Sequence, residues 1–185
     1  MPSLSTPPRD IDSGHKFDSL FADHYLAVYR YCLRRLGPAD SEDAAAEVFA
    51  VAWRRLEQVP TGEPVRPWLL AVAYRVVGNH YRGRRRRVRL SARLGSEREQ
   101  VVEPEASDPE IRLLRRALDS LRSADRELLR LSAWDGLSNA EIAAVIGVKQ
   151  NAVDQRLFRA RARLRGRFDQ LILESSGVNA RKAAT

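Results

Sequence analysis

Lys149, Gln150, Asn151, Asp154, Gln155, Arg156 and Arg159 fall within eleven residues of one another, at helical spacing. Amides, carboxylates and guanidinium groups set this way can hydrogen-bond to base edges exposed in the major groove of a duplex. Arg161, Arg163, Arg165 and Arg167 continue the basic side, with Asp154 the only acid in the stretch. Such later arginines suit phosphates, which fix register without reading sequence. This chemistry is recognition and makes no bonds. His15, His24 and His80 are scattered, Cys32 is the only cysteine, and no P-loop or zinc-ligand spacing occurs. No catalytic residue, metal, cofactor or small-molecule substrate is expected, and an enzyme acting on nucleic acid finds no support.

The elements that must position these groups are legible beside them. Ser138-Asn139-Ala140-Glu141 fits a capping box that starts a short helix carrying Ile142, Ala143 and Ile146. Glu141 is read as part of that cap and not as a ligand. Gly147 supplies the turn, and Ala143 is small enough for a second helix to cross closely. Val153, Leu157, Ala160 and Leu164 then recur as the buried stripe of a longer helix. A short helix, a glycine turn and a longer helix between Ser138 and Arg165 make a helix-turn-helix. A merely solvated helix face is the competing reading; pattern, turn and charge together favour DNA.

A second constellation lies upstream. Arg75, Asn79 and Arg82 share one helical face near Tyr74, His80 and Tyr81, and Arg84 to Arg87 follow. Interleaved cations and aromatics suit an unpaired or melted strand, on which bases stack. Compensation of a helix dipole would need far fewer arginines than the seven between Arg82 and Arg93. Asp43, Glu47 and Arg54 share a face of another helix, beside Phe49 and Trp53. The residue types leave that charged face open to solvent or to a partner.

Composition agrees with a polyanionic partner. The 185 residues carry 32 basic and 24 acidic side chains, a formal charge of +8. Lysine occurs only at Lys16, Lys149 and Lys182. A single cysteine suits a reducing compartment. Met1 to Asp10 has no apolar stretch of signal-peptide type, and no run approaches the ~20 apolar residues of a membrane span. A soluble, cytoplasmic protein is expected.

Periodicity predicts an all-α chain of two small helical domains joined by a flexible linker. Lys16 to Leu36 forms one amphipathic helix through Phe21, Tyr25, Val28, Cys32 and Leu36, closed by Gly37-Pro38. Asp40 is expected to cap the next helix, with Ala45, Phe49, Ala52 and Leu56 inward. After the Pro60–Pro64 loop, Pro67 starts a third, burying Leu69, Val72, Ala73 and Val76. Glu97 to Glu110 holds six acids and one arginine, without helical periodicity, and reads as linker. Beyond it, Asp108-Pro109-Glu110 starts a helix through Ile111, Leu114, Leu118 and Leu121. Ser123 is expected to cap the next, with Leu128, Leu129 and Leu131, and Asp135-Gly136 ends it. The expected divisions are a disordered tail at 1–15, a domain at 16–88, a linker at 89–107, a helix-turn-helix domain at 108–170 and a tail at 171–185.

In this arrangement the chain resembles the extracytoplasmic-function (ECF) sigma factors, the smallest promoter-specificity subunits of the sigma-70 family. The stretch from Asp40 to Arg54 resembles the family's region 2.2. Pro67 to Arg75 and the basic run after it resemble regions 2.3 and 2.4, and Leu137 to Arg165 resembles region 4.2. The resemblance extends from Phe17 to Phe168. It implies a subunit of RNA polymerase that directs transcription initiation at promoters with −35 and −10 elements. It implies that Asp43, Glu47, Trp53 and Arg54 bind core polymerase at its clamp, with a further contact at the flap. Trp68, Arg75, Asn79, Arg82, Arg84 and Arg85 fall on the −10 face, and the Glu57 to Arg66 loop matches one that captures a flipped −10 base. Lys149, Gln150, Asn151, Asp154, Gln155, Arg156 and Arg159 fall on the −35 reader. The linker would thread toward the active-site cleft, and an anti-sigma factor is an expected partner. Ala46 stands where the family commonly has Gln, Arg75 for Asn, Asn79 for a frequent Asp, and Asp154 for a common Lys. The competing function is a stand-alone repressor or activator with an N-terminal helical sensor domain, which would not need the basic, aromatic helix at Arg75 to Arg87.

Overall fold

A computed structural model describes residues 11–93 and 108–183, and its elements are all helical. The chain divides into two compact units, Met1–Glu99 and Gln100–Thr185. Residues 94–107, where most of the expected linker falls, lie outside the described residues.

The first unit holds α1 (Ile11–Leu36), α2 (Pro38–Arg54), a short 3-10 turn (Leu56–Gln58) and α3 (Val65–Arg93). Helix α1 starts before the expected Lys16, with Asp12 in its first turn, where an acid complements the helix dipole. A single residue, Gly37, separates α1 from α2. Its φ of 81° lies in the region that favours glycine, and its N–H still bonds the Leu33 carbonyl at 3.0 Å. Pro38 follows at the first helical position, where a missing N–H costs nothing. Asp40 is therefore not the cap expected of it. The helix has already begun, and Asp40 serves as an acid in the first turn.

The three helices pack against one another pairwise. Val28 and Cys32 from α1, Ala45, Val48, Phe49 and Ala52 from α2, and Leu69, Ala73 and Val76 from α3 are all buried. Leu70 and Val77 widen the buried face of α3. Phe21, expected in the core stripe, is 40% exposed. It lies at the edge of an aromatic cluster, its ring 4.8 Å from Phe49 and 4.9 Å from Tyr25. Burial pushes the Cys32 thiol up to about 11, and the nearby Arg35 offsets this only in part. Cys32 is a core residue. The Arg35 guanidinium, itself buried, lies 3.5 Å from the centre of the Tyr31 ring and donates to the Tyr31 carbonyl.

Helix α3 begins at Val65 rather than Pro67 and continues to Arg93. Arg89 to Arg93, expected in the linker, are helical. Arginine is a good helix former, and cations near a helix C-terminus complement its dipole.

The second unit holds α4 (Pro109–Ser120), α5 (Ser123–Ala133), α6 (Asn139–Ile146) and α7 (Gln150–Ala183). Helix α4 starts as expected, the Asp108 carboxylate accepting from the Glu110 N–H at 2.8 Å. Its expected core stripe is only partly covered. Ile111 and Leu114 are 47% and 46% exposed, while Ala117 is fully buried. Helix α4 packs chiefly on α7, so only a narrow face is covered, and an alanine there permits close approach. Ser123 is the first helical residue of α5, not its cap; Arg122 holds that position without a side-chain hydrogen bond.

Helices α4, α5 and α6 all pack on α7, which acts as their common spine. Val153, Leu157 and Ala160 are buried, with Leu171 continuing the stripe and Leu164 half-buried. Helix α7 runs well past Arg165, through Ala183. Among the described residues, no helix is long and apolar enough to cross a membrane.

Candidate nucleic-acid interface

The helix-turn-helix is built from local chemistry. The Ser138 hydroxyl accepts from the Glu141 N–H at 3.3 Å, and the Glu141 carboxylate accepts from the Ser138 N–H at 2.7 Å. Both arms of the capping box are therefore made. Gly147 adopts φ 72°, ψ 42°, and its N–H and that of Val148 both bond the Ala143 carbonyl, at 2.9 and 3.0 Å. The Lys149 carbonyl then accepts from Ala152 and Val153, which starts α7. Ser138→Ala is expected to lower the stability of this unit by about 1 kcal/mol. Chemical denaturation would check it: an unchanged midpoint would show that the cap contributes nothing.

Because Val153, Leu157 and Ala160 face inward, Lys149, Gln150, Asn151, Asp154, Gln155, Arg156 and Arg159 are all exposed at the start of α7. Two neighbours were missed in the sequence. Phe158 stands 75% exposed beside Arg159; an apolar residue out of phase with the buried stripe could have signalled it. Asn139, the first residue of α6, donates to the Asp154 carboxylate at 2.5 Å. No spacing rule connects residues fifteen apart across a turn.

Three of the later arginines are engaged within the protein. Arg163 pairs with Asp125 of α5 at 2.6 Å, Arg161 bonds the Ser132 hydroxyl at 3.2 Å, and Arg167 bonds Gln170 at 2.7 Å. Arg161 and Arg163, expected in a row of phosphate ligands, are exposed and also reach across from α7 to α5. Exposed contacts of this kind contribute only ~0–1 kcal/mol, so a phosphate can compete for these side chains.

In the first unit, Arg75, Asn79 and Arg82 are exposed on one side of α3, and the Arg82 guanidinium donates to the Asn79 side-chain oxygen. Tyr74 and Arg85 are exposed nearby, while Trp68 and Arg84 are half-buried. The other two aromatic neighbours also make contacts across the unit, Tyr81 with its ring exposed and His80 half-buried. The Tyr81 hydroxyl donates to the Arg35 carbonyl, satisfying an acceptor in the last turn of α1. His80 lies 3.2 Å from the Glu47 carboxylate, joining α3 to α2.

Asp43, Glu47 and Arg54 are exposed on α2. Trp53 is half-buried, its ring 4.9 Å from Phe17 in an edge-on contact. The Glu57 to Arg66 stretch folds as the end of the 3-10 turn, a loop with Gly62 at φ 73°, and the first two residues of α3. A cavity of about 290 Å³ opens between that loop and α1, lined by Leu20, His24, Leu56, Val59, Thr61 and Val65.

A helix-turn-helix with an uncovered first recognition turn, in a chain whose other unit presents an arginine-rich helix face, defines a two-module DNA-binding protein. Residues 20–87 match the family model described as Sigma-70 region 2, and residues 111–164 match Sigma-70, region 4. The ECF RNA polymerase sigma factor SigL of Mycobacterium tuberculosis is 32% identical over 171 residues, 86% of this chain and 90% of SigL. The solved structure of CnrH in complex with the cytosolic domain of CnrY superimposes with a TM-score of 0.60 at 29% identity, covering 85% of this chain and 95% of that one. The sigma factor RpoE from Bartonella quintana, solved with the anti-sigma factor NepR, shares the fold, with a TM-score of 0.66 at 22% identity over 83% of this chain and 96% of that one. The chain belongs to the ECF RNA polymerase sigma factors of the sigma-70 family. It directs promoter-specific transcription, and the region 2 match over its first unit favours this over a stand-alone regulator with a sensor domain.

Proposed function

We propose that the two units divide promoter reading between them, with residues 108–170 reading the −35 duplex and residues 16–88 engaging −10 DNA and core polymerase. The observation that carries this is the exposed row of hydrogen-bonding groups at the start of α7, presented by a fully capped helix-turn-helix. Gln150, Asn151, Asp154, Gln155, Arg156 and Arg159 sit where a recognition helix meets base edges, with Lys149 at the phosphate-facing entry. On α3, Trp68, Arg75, Asn79, Arg82, Arg84 and Arg85 offer cations and an aromatic to the −10 strand. The cavity beside the Glu57 to Arg66 loop would receive its flipped base. Asp43, Glu47, Trp53 and Arg54 form the clamp contact, with Glu47 oriented by His80. Residues 94–107 serve as the linker through the polymerase, since α3 continues to Arg93 and α7 carries the second module past residue 170.

The chain acts as a non-catalytic subunit in the cytoplasm, where polymerase and promoter are found. The sigma factor RpoE, which shares this fold, was solved with the anti-sigma factor NepR, and an anti-sigma partner is proposed here too.

The test is transcription from supercoiled promoter DNA by core polymerase with and without the chain. Promoter-specific transcript that depends on the chain is expected; tight sequence-specific DNA binding without polymerase, and no transcript with it, would overturn the proposal. Within the −35 reader, Arg156→Ala is expected to weaken cognate duplex selectively. Arg165→Ala should weaken all duplex binding and reduce the salt slope by about one. Equal losses on cognate and random DNA from both variants would contradict the division of roles.

A further inference from the structure

A carboxylate is an unusual group to hold at the front of a DNA-facing helix, because the phosphates repel it. Asp154 is nevertheless exposed there, one turn after Asn151 and beside Gln155. Its carboxylate is held: Asn139 Nδ2 donates to Oδ1 at 2.5 Å, from the first turn of α6 to the second turn of α7. Only the amide nitrogen of Asn139 can face a carboxylate, so the pairing also sets the orientation of the amide. The contact fixes the Asp154 rotamer before any ligand arrives, which lowers the ordering cost on binding. It occupies one oxygen and leaves Oδ2 for a second donor.

An ionised carboxylate accepts hydrogen bonds and donates none. In the major groove only the exocyclic amines donate, N4 of cytosine and N6 of adenine. Adenine places the N7 acceptor beside its amine, and that lone pair would face the carboxylate. Guanine offers two acceptors and thymine an acceptor and a methyl group. Cytosine alone offers a donor with no acceptor of the same base next to it in the groove.

We propose that Asp154 selects a cytosine in the upstream promoter duplex through its N4 amine, and that Asn139 is the positioning residue that aims the carboxylate. This rests on the reading of α7 as the −35 reader. It adds a named base and a residue outside the recognition helix. It also gives the acid a role at the base edges, where an arginine or lysine would favour guanine instead.

The full chain assembled with core polymerase is presented with a promoter library randomised across the upstream duplex, and bound molecules are sequenced. The wild type is expected to favour cytosine at one base pair by about tenfold. Asp154→Ala should flatten that pair alone. Asp154→Asn, nearly isosteric, should move the preference at the same pair to adenine, since an amide can accept from N6 and donate to N7. Asn139→Ala should weaken the cytosine preference several-fold at that pair without changing total binding to random duplex. If Asp154→Ala and Asp154→Asn leave every position as in the wild type, or lower binding evenly at all positions, the pair is only a brace between α6 and α7 and the proposal falls. If the wild type shows no base preference anywhere upstream, the −35 reading falls with it.

Discussion

Leu157→Ala is expected to melt the C-terminal unit about 15 °C lower and to abolish upstream-element recognition at physiological temperature. Leu157 is 1% exposed on α7, between Val153 and Ala160, on the stripe where the packed helices meet. Truncating a fully buried leucine costs about 3 kcal/mol, combining lost transfer energy with the cavity left behind. A unit of this size has only about 5–10 kcal/mol in total, and each kcal/mol shifts its melting temperature by roughly 4–8 °C. Because α7 is both the spine and the reader, the loss is structural and functional at once. Hydrogen exchange is the direct measurement: amides of α5 to α7 should lose protection while those of α1 to α3 keep theirs. Unchanged protection in α7 would show that the stripe is not the core of this unit.

The double substitution Arg75→Ala, Arg82→Ala is expected to cut promoter-specific transcription about 100-fold while leaving polymerase binding intact. Both side chains are exposed on α3, and within the protein the change removes the Arg82–Asn79 hydrogen bond, which joins two residues of the same helix. Folding should therefore be untouched. If each guanidinium makes one charge-assisted bond to DNA at about 1.5 kcal/mol, the pair accounts for roughly 3 kcal/mol, or two orders of magnitude. Abortive and run-off transcripts give the readout, with co-elution on core polymerase as the control. Full transcription would remove α3 from the −10 interaction, and loss of co-elution would place these arginines at the polymerase instead.

Local rules suffice where the interacting residues are neighbours in the chain. The capping box at Ser138 and Glu141 and the left-handed Gly147 were legible because each involves residues within four of one another. The inward stripe of α7 was legible because helical periodicity is a property of one element. Failures occurred where two rules competed. Asp40 is a good cap, but Pro38 began the helix first. Arg89 to Arg93 looked like the start of a linker by charge, yet arginine sustains a helix. Ile111 and Leu114 had the periodicity of core residues, but no second helix covers them fully.

The sequence by itself determined the all-helical class, the helix-turn-helix and its basic character, and the types of group available to meet DNA. Those follow from the order of side chains along single helices and turns. Only the tertiary structure decided which neighbours those groups meet. It set Arg161 and Arg163 beside α5, the Tyr81 hydroxyl on the Arg35 carbonyl, His80 beside Glu47, and Asn139 on one oxygen of Asp154. The physical reason is that a hydrogen bond forms with whichever acceptor or donor packing brings within about 3 Å. For residues 15 to 46 apart in the chain, that distance is set by how helices cross and not by their spacing in sequence.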